Sequence, residues 1–440
     1  MKLKLLTFLI SILGTLTLTA QMNKIDFEEY TLDNGLKVIL HEDHSTPIVA
    51  VTVLYHVGSK NEVDNRTGFA HFFEHLMFEG SANIERGEFM SYVEKAGGTL
   101  NAYTTQDRTF YHEVLPSNQL KLGLWLESER MLHAKVDQQG VDTQREVVKE
   151  ERRQSYDNRP YGTVLEESMK RAFRKHPYRW TPIGSMEDLN AASEQDYVDF
   201  YKTFYVPNNA VLSIAGDIDV AETRKLIEKY FSTIPRGEKS IPRPEITEPP
   251  LGGEVRDTVY DNIQLPAVIQ TYRIPAQGTD DYYAVDMLSR LMAGGQSSRL
   301  YKTLVDEEQM AVVAGSFPLS LEDPGVIIAF GIANVGINPN DLEALMDKEF
   351  ANVQKDLIPE KEFQKLRNQV EDDFVSQNTS VQGIAENLAV YEVQLGDANL
   401  INTELERYLN VSREDIRRVA KKYFTADNRV VLYYLPKANQ

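Results

Sequence analysis

His71, Phe72, Phe73, Glu74 and His75 stand in a row, and that run can do chemistry. On a helix, side chains four apart share a face, so His71 and His75 can present two imidazoles to one ion, with Glu74 on the same side. Phe69, Phe72, Phe73 and Leu76 recur at the i, i+3, i+4, i+7 spacing on the opposite side. One face of such a helix is buried and the other lines a cleft. Imidazole together with carboxylate suits zinc, and the chain contains no cysteine to offer a thiolate. A catalytic zinc takes three protein ligands and keeps one position for water, whose pKa it brings to roughly 7, so that a neighbouring carboxylate can take the proton. Glu74 fits that task. The competing reading is a pair of surface histidines on an ordinary helix.

A third ligand must come from elsewhere in the chain. The pattern predicts a helix from Asp142 to about Tyr156 with Val147 and Val148 as its apolar pair. Glu151 is expected on the same inward face, with Gln144 one turn before the valines, while Glu150, Arg152 and Arg153 point more outward. A carboxylate that shares a buried face with valines needs a partner. A metal ion would be one; an arginine in an internal salt bridge would be the other.

These elements need a frame. Residues 29–57 read as strand, turn, strand, with the turn at Asp33-Asn34-Gly35, the strands at Leu36–His41 and Ile48–Val57, and Gly58 closing the second. Helices fit Thr67–Phe78 and Arg86–Ala96, the latter closed by Gly97-Gly98. Residues 99–115 suggest a hairpin, long helical patterns run to about Tyr205, and Ala210–Ala215 is a buried-type strand after the break at Pro207-Asn208-Asn209. Pro235–Gly253, with five prolines, is the best linker. The pattern then begins again, with a strand at Ala267–Tyr272, a helix from about Asp281 and a last strand at Val430–Tyr434. Phe73–Met77 followed by Gly80 can be laid on Leu288–Met292 followed by Gly295. The match is short, and the shared order of elements favours duplication over coincidence. His71, Glu74 and His75 then fall on Asp286, Ser289 and Arg290, a helix kept without the chemistry. The expected division is a leader at 1–20, a metal-bearing half at 21–235, a linker at 236–253 and a second half at 254–440.

Bulk properties set limits on the partners. A chain of 440 residues, 42% hydrophobic, fits two domains of roughly 200 residues. A net charge of -19 argues against nucleic acid and is compatible with basic peptides as ligands or with simple solubility. Lys2 and Lys4 precede an apolar run from Leu5 to about Leu18, and Thr19-Ala20-Gln21 offers a small-residue cleavage site, the layout of a secretory signal peptide. An uncleaved anchor is the alternative, although the run is short of the roughly 20 residues a span needs. No later segment reads as a membrane span. Without cysteine there is no disulfide framework and no lipid-anchored cysteine. The expected location is outside the cytoplasm, in the periplasm if the source is bacterial.

His-x-x-Glu-His, followed by Arg145-Glu146-Val147-Val148-Lys149-Glu150-Glu151, resembles the pitrilysin/insulinase superfamily of zinc peptidases. The likeness is closer to its processing-peptidase branch, in keeping with the 76 positions from His75 to Glu151. The resemblance implies His71, His75 and Glu151 as ligands of one zinc ion per chain, with Glu74 as general base. Gly97–Thr104 is similar to the family's strand that pairs with extended substrate, which implies substrate contacts at Asn101 and Ala102; from the residues alone it is an edge strand without an assigned role. His176-Pro177-Tyr178, Pro182-Ile183-Gly184 and Pro207–Asp217 are similar to family signatures of structural character, and Gly294–Tyr301 to its glycine-serine segment. The implied fold is α+β: two homologous halves, each a mostly antiparallel sheet with helices packed on one face, enclosing a chamber where an extended peptide adds as a strand.

Two departures from the family stand out. Gln144 occupies a position where many relatives carry a glutamate, so any supporting role there is weakened. Self-sufficient relatives also carry an arginine and a tyrosine, seven apart, in the second half; aligning Gln309-Met310-Ala311 with that region puts Val305 and Val312 there, and neither can donate a hydrogen bond. The expectation is therefore a catalytic subunit working with a homologous partner that supplies the pair, in a heterodimer. A homodimer, or a shifted alignment in which Arg299 and Tyr301 compensate, is the alternative. The reading from another class is a non-catalytic peptide-binding or scaffold subunit, against which the intact His71, Glu74, His75 and Glu151 argue.

Overall fold

Apolar runs spaced by turn residues become two sheets in the computed structural model, which describes residues 24–437. The leader expected at 1–20 lies outside the described residues. Among those described, no helix is long and apolar enough to cross a membrane. The first part of the chain forms β1 (Glu28–Thr31), β2 (Lys37–Glu42), β3 (Ile48–Tyr55), α1 (Phe69–Leu76), α2 (Phe89–Lys95), β4 (Thr99–Thr104), β5 (Thr109–Pro116), α3 (Leu120–His133), α4 (Gln138–Arg152), α5 (Val164–Ala172), α6 (Met186–Ala191), α7 (Glu194–Phe204), β6 (Ala210–Gly216) and α8 (Val220–Phe231). No helix or strand occupies 237–254. Then come β7 (Val255–Asp261), β8 (Ala267–Arg273), α9 (Asp280–Ala293), the single turn α10 (Arg299–Tyr301), β9 (Ala311–Leu319), β10 (Val326–Ala333), α11 (Pro339–Lys355), α12 (Glu360–Gln377), α13 (Val381–Leu395), α14 (Leu400–Leu409), α15 (Arg413–Tyr423) and β11 (Arg429–Pro436).

The two sheets repeat each other strand for strand. The first runs β1-β2-β6-β3-β5-β4 and the second β7-β11-β8-β10-β9. With β1 set aside, each starts with a parallel pair, β2 with β6 and β7 with β11, and continues antiparallel. The helix after the second strand in chain order is α1 in one half and α9 in the other, as the short Phe73–Met77 match implies.

Each sheet is covered on both faces, and each half lends the other a helix. β3 is buried at seven consecutive positions and β6 at all seven, so the two-residue alternation of a half-exposed strand is absent. The helices of the first half cover one face. On the other, Ile384, Ala385 and Leu388 of α13 pack against Ile39, Ala50, Leu54 and Ala215. Reciprocally, Met169 and Ala172 of α5 lie with Ile269, Ile328 and Leu432 on the second sheet. The face expected to be bare is thus closed by exchange. Each fully buried aliphatic side chain contributes about 1.5–3 kcal/mol, so the halves cannot part without exposing two apolar surfaces.

A charged cluster fixes the register of the two halves. Lys60 Nζ lies 3.1 Å from Asp107 and 3.3 Å from Asp323, and also pairs with Glu322. Tyr178 donates its hydroxyl to Asp107 (2.6 Å) and accepts the Asp323 N–H (3.1 Å). His176-Pro177-Tyr178 thereby seats the turn between β9 and β10. Burial opposes the Lys60 charge, but Asp107, Glu322 and Asp323 outweigh it and raise its pKa.

Two stability predictions follow from these contacts. Lys60→Met leaves buried carboxylates without their cation and should cost about 3–5 kcal/mol, read as a lower urea midpoint; an unchanged midpoint would mean apolar packing alone joins the halves. Asp281, at the start of α9, accepts from Lys422 (2.7 Å), Tyr423 (2.8 Å) and Arg418 (2.5 Å). Burial works against its charge, yet these hydrogen bonds win and hold its pKa at about 2. A depressed folded pKa stabilises above the ordinary carboxylate range and is lost as pH falls through the folded value. Asp281→Asn should lower stability by on the order of 1–2 kcal/mol at pH 7, with the gap narrowing as pH falls from 4 towards 2 in thermal melts.

Candidate metal centre

Eight residues are too few to hold a helix alone, so α1 depends on what surrounds it. Gly68 caps it in the left-handed region at φ 89°, which starts the helix later than the Thr67 expected. The Glu62 carboxylate accepts from the Gly68 and Ala70 N–H groups, both at 2.9 Å, and closes the N-terminus. Burial pushes the Glu62 pKa well up, and the hydrogen bonds from Ala70 and Gly68 oppose it. The expected apolar stripe is buried: Phe69 and Phe72 stack on Tyr197 with ring centres 4.7 and 4.4 Å apart, and Phe73 stacks on Phe200 at 5.5 Å. The opposite face carries His71, Glu74 and His75.

α4 brings Glu151 to that face. It starts earlier than Asp142, with Asp137 accepting the Gly140 N–H (2.8 Å) as N-cap, and passes into a widened turn at Arg153–Asp157. Its inward stripe is Val141, Val148 and Arg152, while Val147 is 44% exposed. Two expectations are thus corrected: Val147 faces solvent, and Arg152 turns inward. Arg152 donates to the Gly184 carbonyl (2.6 Å) and to Glu166 (3.0 Å), a use that helical spacing from the valine pair did not foresee. Gly184 in turn touches Gly68 so closely that a Cβ on Gly184 would stand 2.5 Å from the Gly68 backbone. The start of α1, the Pro182-Ile183-Gly184 segment and the end of α4 meet there. Glu150 and Arg153 are exposed and pair with each other (3.0 Å).

His71 Nε2 lies 3.6 Å from Glu151 Oε1, and His75 Nε2 lies 3.3 Å from Glu151 Oε2. The imidazole rings stand 4.9 Å apart and nearly perpendicular. One donor atom from each residue can be chosen so that all lie within 4.8 Å of one another. A tetrahedral zinc with bonds of about 2.0–2.1 Å spaces its ligand atoms roughly 3.3 Å apart, so the donor set and its spacing fit that ion. Burial first, and the His75 charge second, bring the His71 pKa down to about 4 against the pull of Glu151. That imidazole is therefore neutral at pH 7, the form that binds metal. Glu74 accepts from the Thr104 hydroxyl (2.6 Å), and burial raises its pKa while Thr104 and His75 work to lower it. Among the described residues Glu151 forms no ion pair with an arginine, which removes the salt-bridge alternative.

Gln144 stands apart from this cluster. It donates to Glu79 (2.5 Å), Glu79 pairs with Arg86, and Arg86 donates to Asp137 (2.9 Å). That chain ties the end of α1 to the start of α4. Asn101 and Ala102 lie on β4, at the edge of the first sheet, where Asn101 Oδ1 accepts the Ala102 N–H (2.9 Å). Tyr103, on β4, donates to Glu386 of α13 (2.8 Å). Val305 packs half-buried in the turn after α10, and Val312 on β9 is 47% exposed. Arg299 is engaged with Glu362 (2.7 Å). Glu62, Glu79 and Thr104 were not singled out from the sequence. Glu62 precedes Gly68 by six residues, outside any local capping pattern, and Thr104 reaches Glu74 only once the hairpin has folded over α1.

The counterpart in the second half shows what replaces the cluster. Asp286 accepts from Arg290 Nε (2.8 Å), and Arg290 also pairs with Asp373 on α12, the counterpart of α4. Ser289 shares a hydrogen bond with Ser316 (3.2 Å). A guanidinium sits between two carboxylates, so this half carries its own cation.

The relationships of the chain agree with this geometry. Residues 37–183 match the sequence profile described as "Insulinase (Peptidase family M16)", and residues 191–370 the one described as "Peptidase M16 inactive domain". A curated relative, "Zinc protease PqqE" of Helicobacter pylori, is 33% identical over 416 residues, covering 93% of each chain. The crystal structure of a protease from Helicobacter pylori superposes with a TM-score of 0.90 at 32% identity, over 94% of this chain and 100% of that one. The "Mitochondrial-processing peptidase subunit beta" of Lentinula edodes is 24% identical, over 89% of this chain and 86% of its own. The chain thus belongs to the M16, or insulinase, family of peptidases, within the pitrilysin/insulinase superfamily.

Proposed function

We propose that this chain is a zinc-dependent endopeptidase that hydrolyses extended or unfolded peptides. The observation that carries the reading is that donor atoms of His71, His75 and Glu151 all lie within 4.8 Å of one another, with Glu151 oxygens 3.6 and 3.3 Å from the two imidazole Nε2 atoms, beside a half-buried Glu74 and an open sheet edge. His71, His75 and Glu151 would hold one zinc ion. When bound, zinc supplies Lewis acidity, polarising a carbonyl and making water easier to deprotonate. Glu74, held by Thr104, is the base placed to accept a proton from the attacking water and pass it to the leaving nitrogen. Its raised pKa suits that exchange, because a base poised nearer neutrality gives the proton back more readily. β4 would receive the peptide as an added strand, and Asn101, now bonded to the Ala102 N–H, would yield that donor to a peptide carbonyl. Gln144 acts at a distance, through Glu79 and Arg86, in setting α1 against α4.

The chain would work with a homologous subunit that completes the chamber around the peptide. By the sequence alignment, Val305 and Val312 fall where self-sufficient relatives carry an arginine and a tyrosine, and Arg299 is already paired. The name of the Lentinula relative, a subunit beta, supports a paired assembly. Export, with removal of the leader at 1–20 and a periplasmic site in a bacterium, completes the proposal.

With zinc-loaded chain and a mixed peptide library, Glu74→Gln should cut turnover by about 10²–10⁴-fold while zinc content stays at one per chain; undiminished hydrolysis would refute the assigned base. Adding the homologous subunit should raise turnover well above that of the chain alone. A homodimer that is fully active without any partner would overturn the division of labour.

A further inference from the structure

α9 and α12 repeat the pairing of α1 with α4, yet the two junctions are closed by different charges. In the first half Leu76 reaches the start of α4, where a Cβ on Gly140 would stand 3.6 Å from it. Carboxylates complete that junction: Asp137 caps α4 through the Gly140 N–H (2.8 Å), and Arg86 pairs with both Asp137 and Glu79. Leu291 falls on Leu76 in the repeat, and here the junction opens into a cavity of about 420 Å³ between the Ser297–Lys302 turn and the start of α12. Pro359 stands at the N-cap of α12, where α4 has Asp137. No side chain accepts a hydrogen bond from the first turn of this 18-residue helix.

Cations take the place of the missing carboxylates. Arg299, Lys302, Lys361 and Lys365 line the cavity against a single acid, Glu362, in a chain whose net charge is -19. Lys302 follows Arg299 by three positions and Lys365 follows Lys361 by four, so each element sets a like-charge pair side by side, which destabilises it. Lys361 also lies in the first turn of α12, where the helix dipole favours an anion. Glu362 pairs with Arg299 (2.7 Å), and among the described residues Lys302 and Lys361 form no ion pair. Lys365 donates to the Ser297 hydroxyl (2.5 Å) and carbonyl (3.3 Å), which holds its ammonium at the cavity wall. Ser298, between two lining residues, is 3% exposed and its hydroxyl has no partner. A buried hydroxyl of that kind lacks an acceptor that an oxyanion would supply.

We infer that this cavity binds a phosphoryl anion, held by Lys302, Lys361, Arg299 and Lys365 and by the first N–H groups of α12. The anion takes the place that the Asp137 carboxylate fills in the first half. The excess of cations favours a multiply charged oxyanion over a single carboxylate, and the volume leaves room for a group attached to the phosphorus. The site belongs to the second half and does not depend on the peptidase reading.

Isothermal titration of the zinc-loaded chain at fixed chloride, with inorganic phosphate, pyrophosphate, a nucleoside monophosphate and acetate, tests it. Phosphate and pyrophosphate should bind, with acetate at least about 10-fold weaker. Lys302→Ala and Lys361→Ala, both at exposed positions, should each weaken phosphate about 10-fold. Pro359→Asp, which gives α12 the cap that α4 has, should raise the melting temperature without anion and remove the further rise that phosphate causes in the parent chain. A nucleoside monophosphate that binds more tightly than phosphate would identify a phosphomonoester as the ligand, and equal binding would identify free phosphate. No binding of phosphate or pyrophosphate at millimolar concentration, or acetate binding as tightly, would overturn the inference. Heats unchanged by both lysine substitutions would place the anion elsewhere, such as on the zinc, and would overturn it equally.

Discussion

Two imidazoles on one short helix must face a carboxylate carried 76 positions later, and most of the first half serves that apposition. α1 cannot hold itself, so Glu62 caps it from outside and the aromatic side chains of α7 form its floor. The close contact of Gly68 with Gly184, and the Arg152 hydrogen bond to the Gly184 carbonyl, fix where α4 ends relative to where α1 begins. At the other end, Gln144, Glu79, Arg86 and Asp137 tie the two helices again. Held at both ends, the helices leave His71, His75 and Glu151 little freedom to drift apart. A small loss of such positioning is costly in a catalytic site.

The duplication explains why this arrangement needs both halves. Each sheet is too apolar to leave a face in water, and each closes with a helix from the other. The exchange places α13 behind the first sheet, where Glu386 braces β4 through Tyr103, and α5 behind the second, where it follows the loop after Glu151. The second half keeps the same frame but sets Arg290 between Asp286 and Asp373 where the first half has its His71, His75 and Glu151 cluster. One half leaves a carboxylate facing two imidazoles, a set that a zinc ion would fit, and the other supplies a balancing cation from its own sequence.

Much of this was legible before folding. The spacing of His71, Glu74 and His75 and the phenylalanine stripe behind them identify α1 and its orientation, because helical periodicity is local. The pairing of halves was visible in the order of elements and in a five-residue match. The face of α4 was read less well: Val147 and Val148 are both apolar, and only tertiary packing decides that Val148 is buried while Arg152 displaces Val147. The apolar runs of β3 and β6 do read as buried strands, but nothing local says that a helix encoded more than a hundred residues away covers their second face. Glu62 and Thr104 were missed for the same reason. Their partners are set by the fold, and no short-range pattern records them.

The most direct test of the metal centre is zinc-edge X-ray absorption of the chain loaded with one equivalent of zinc. The account predicts a first shell of nitrogen and oxygen at about 2.0–2.1 Å, with the signature of two imidazoles. His71→Ala and His75→Ala should each remove one imidazole, and Glu151→Ala should leave both. Failure to retain zinc, or a first shell unchanged by all three substitutions, would contradict it.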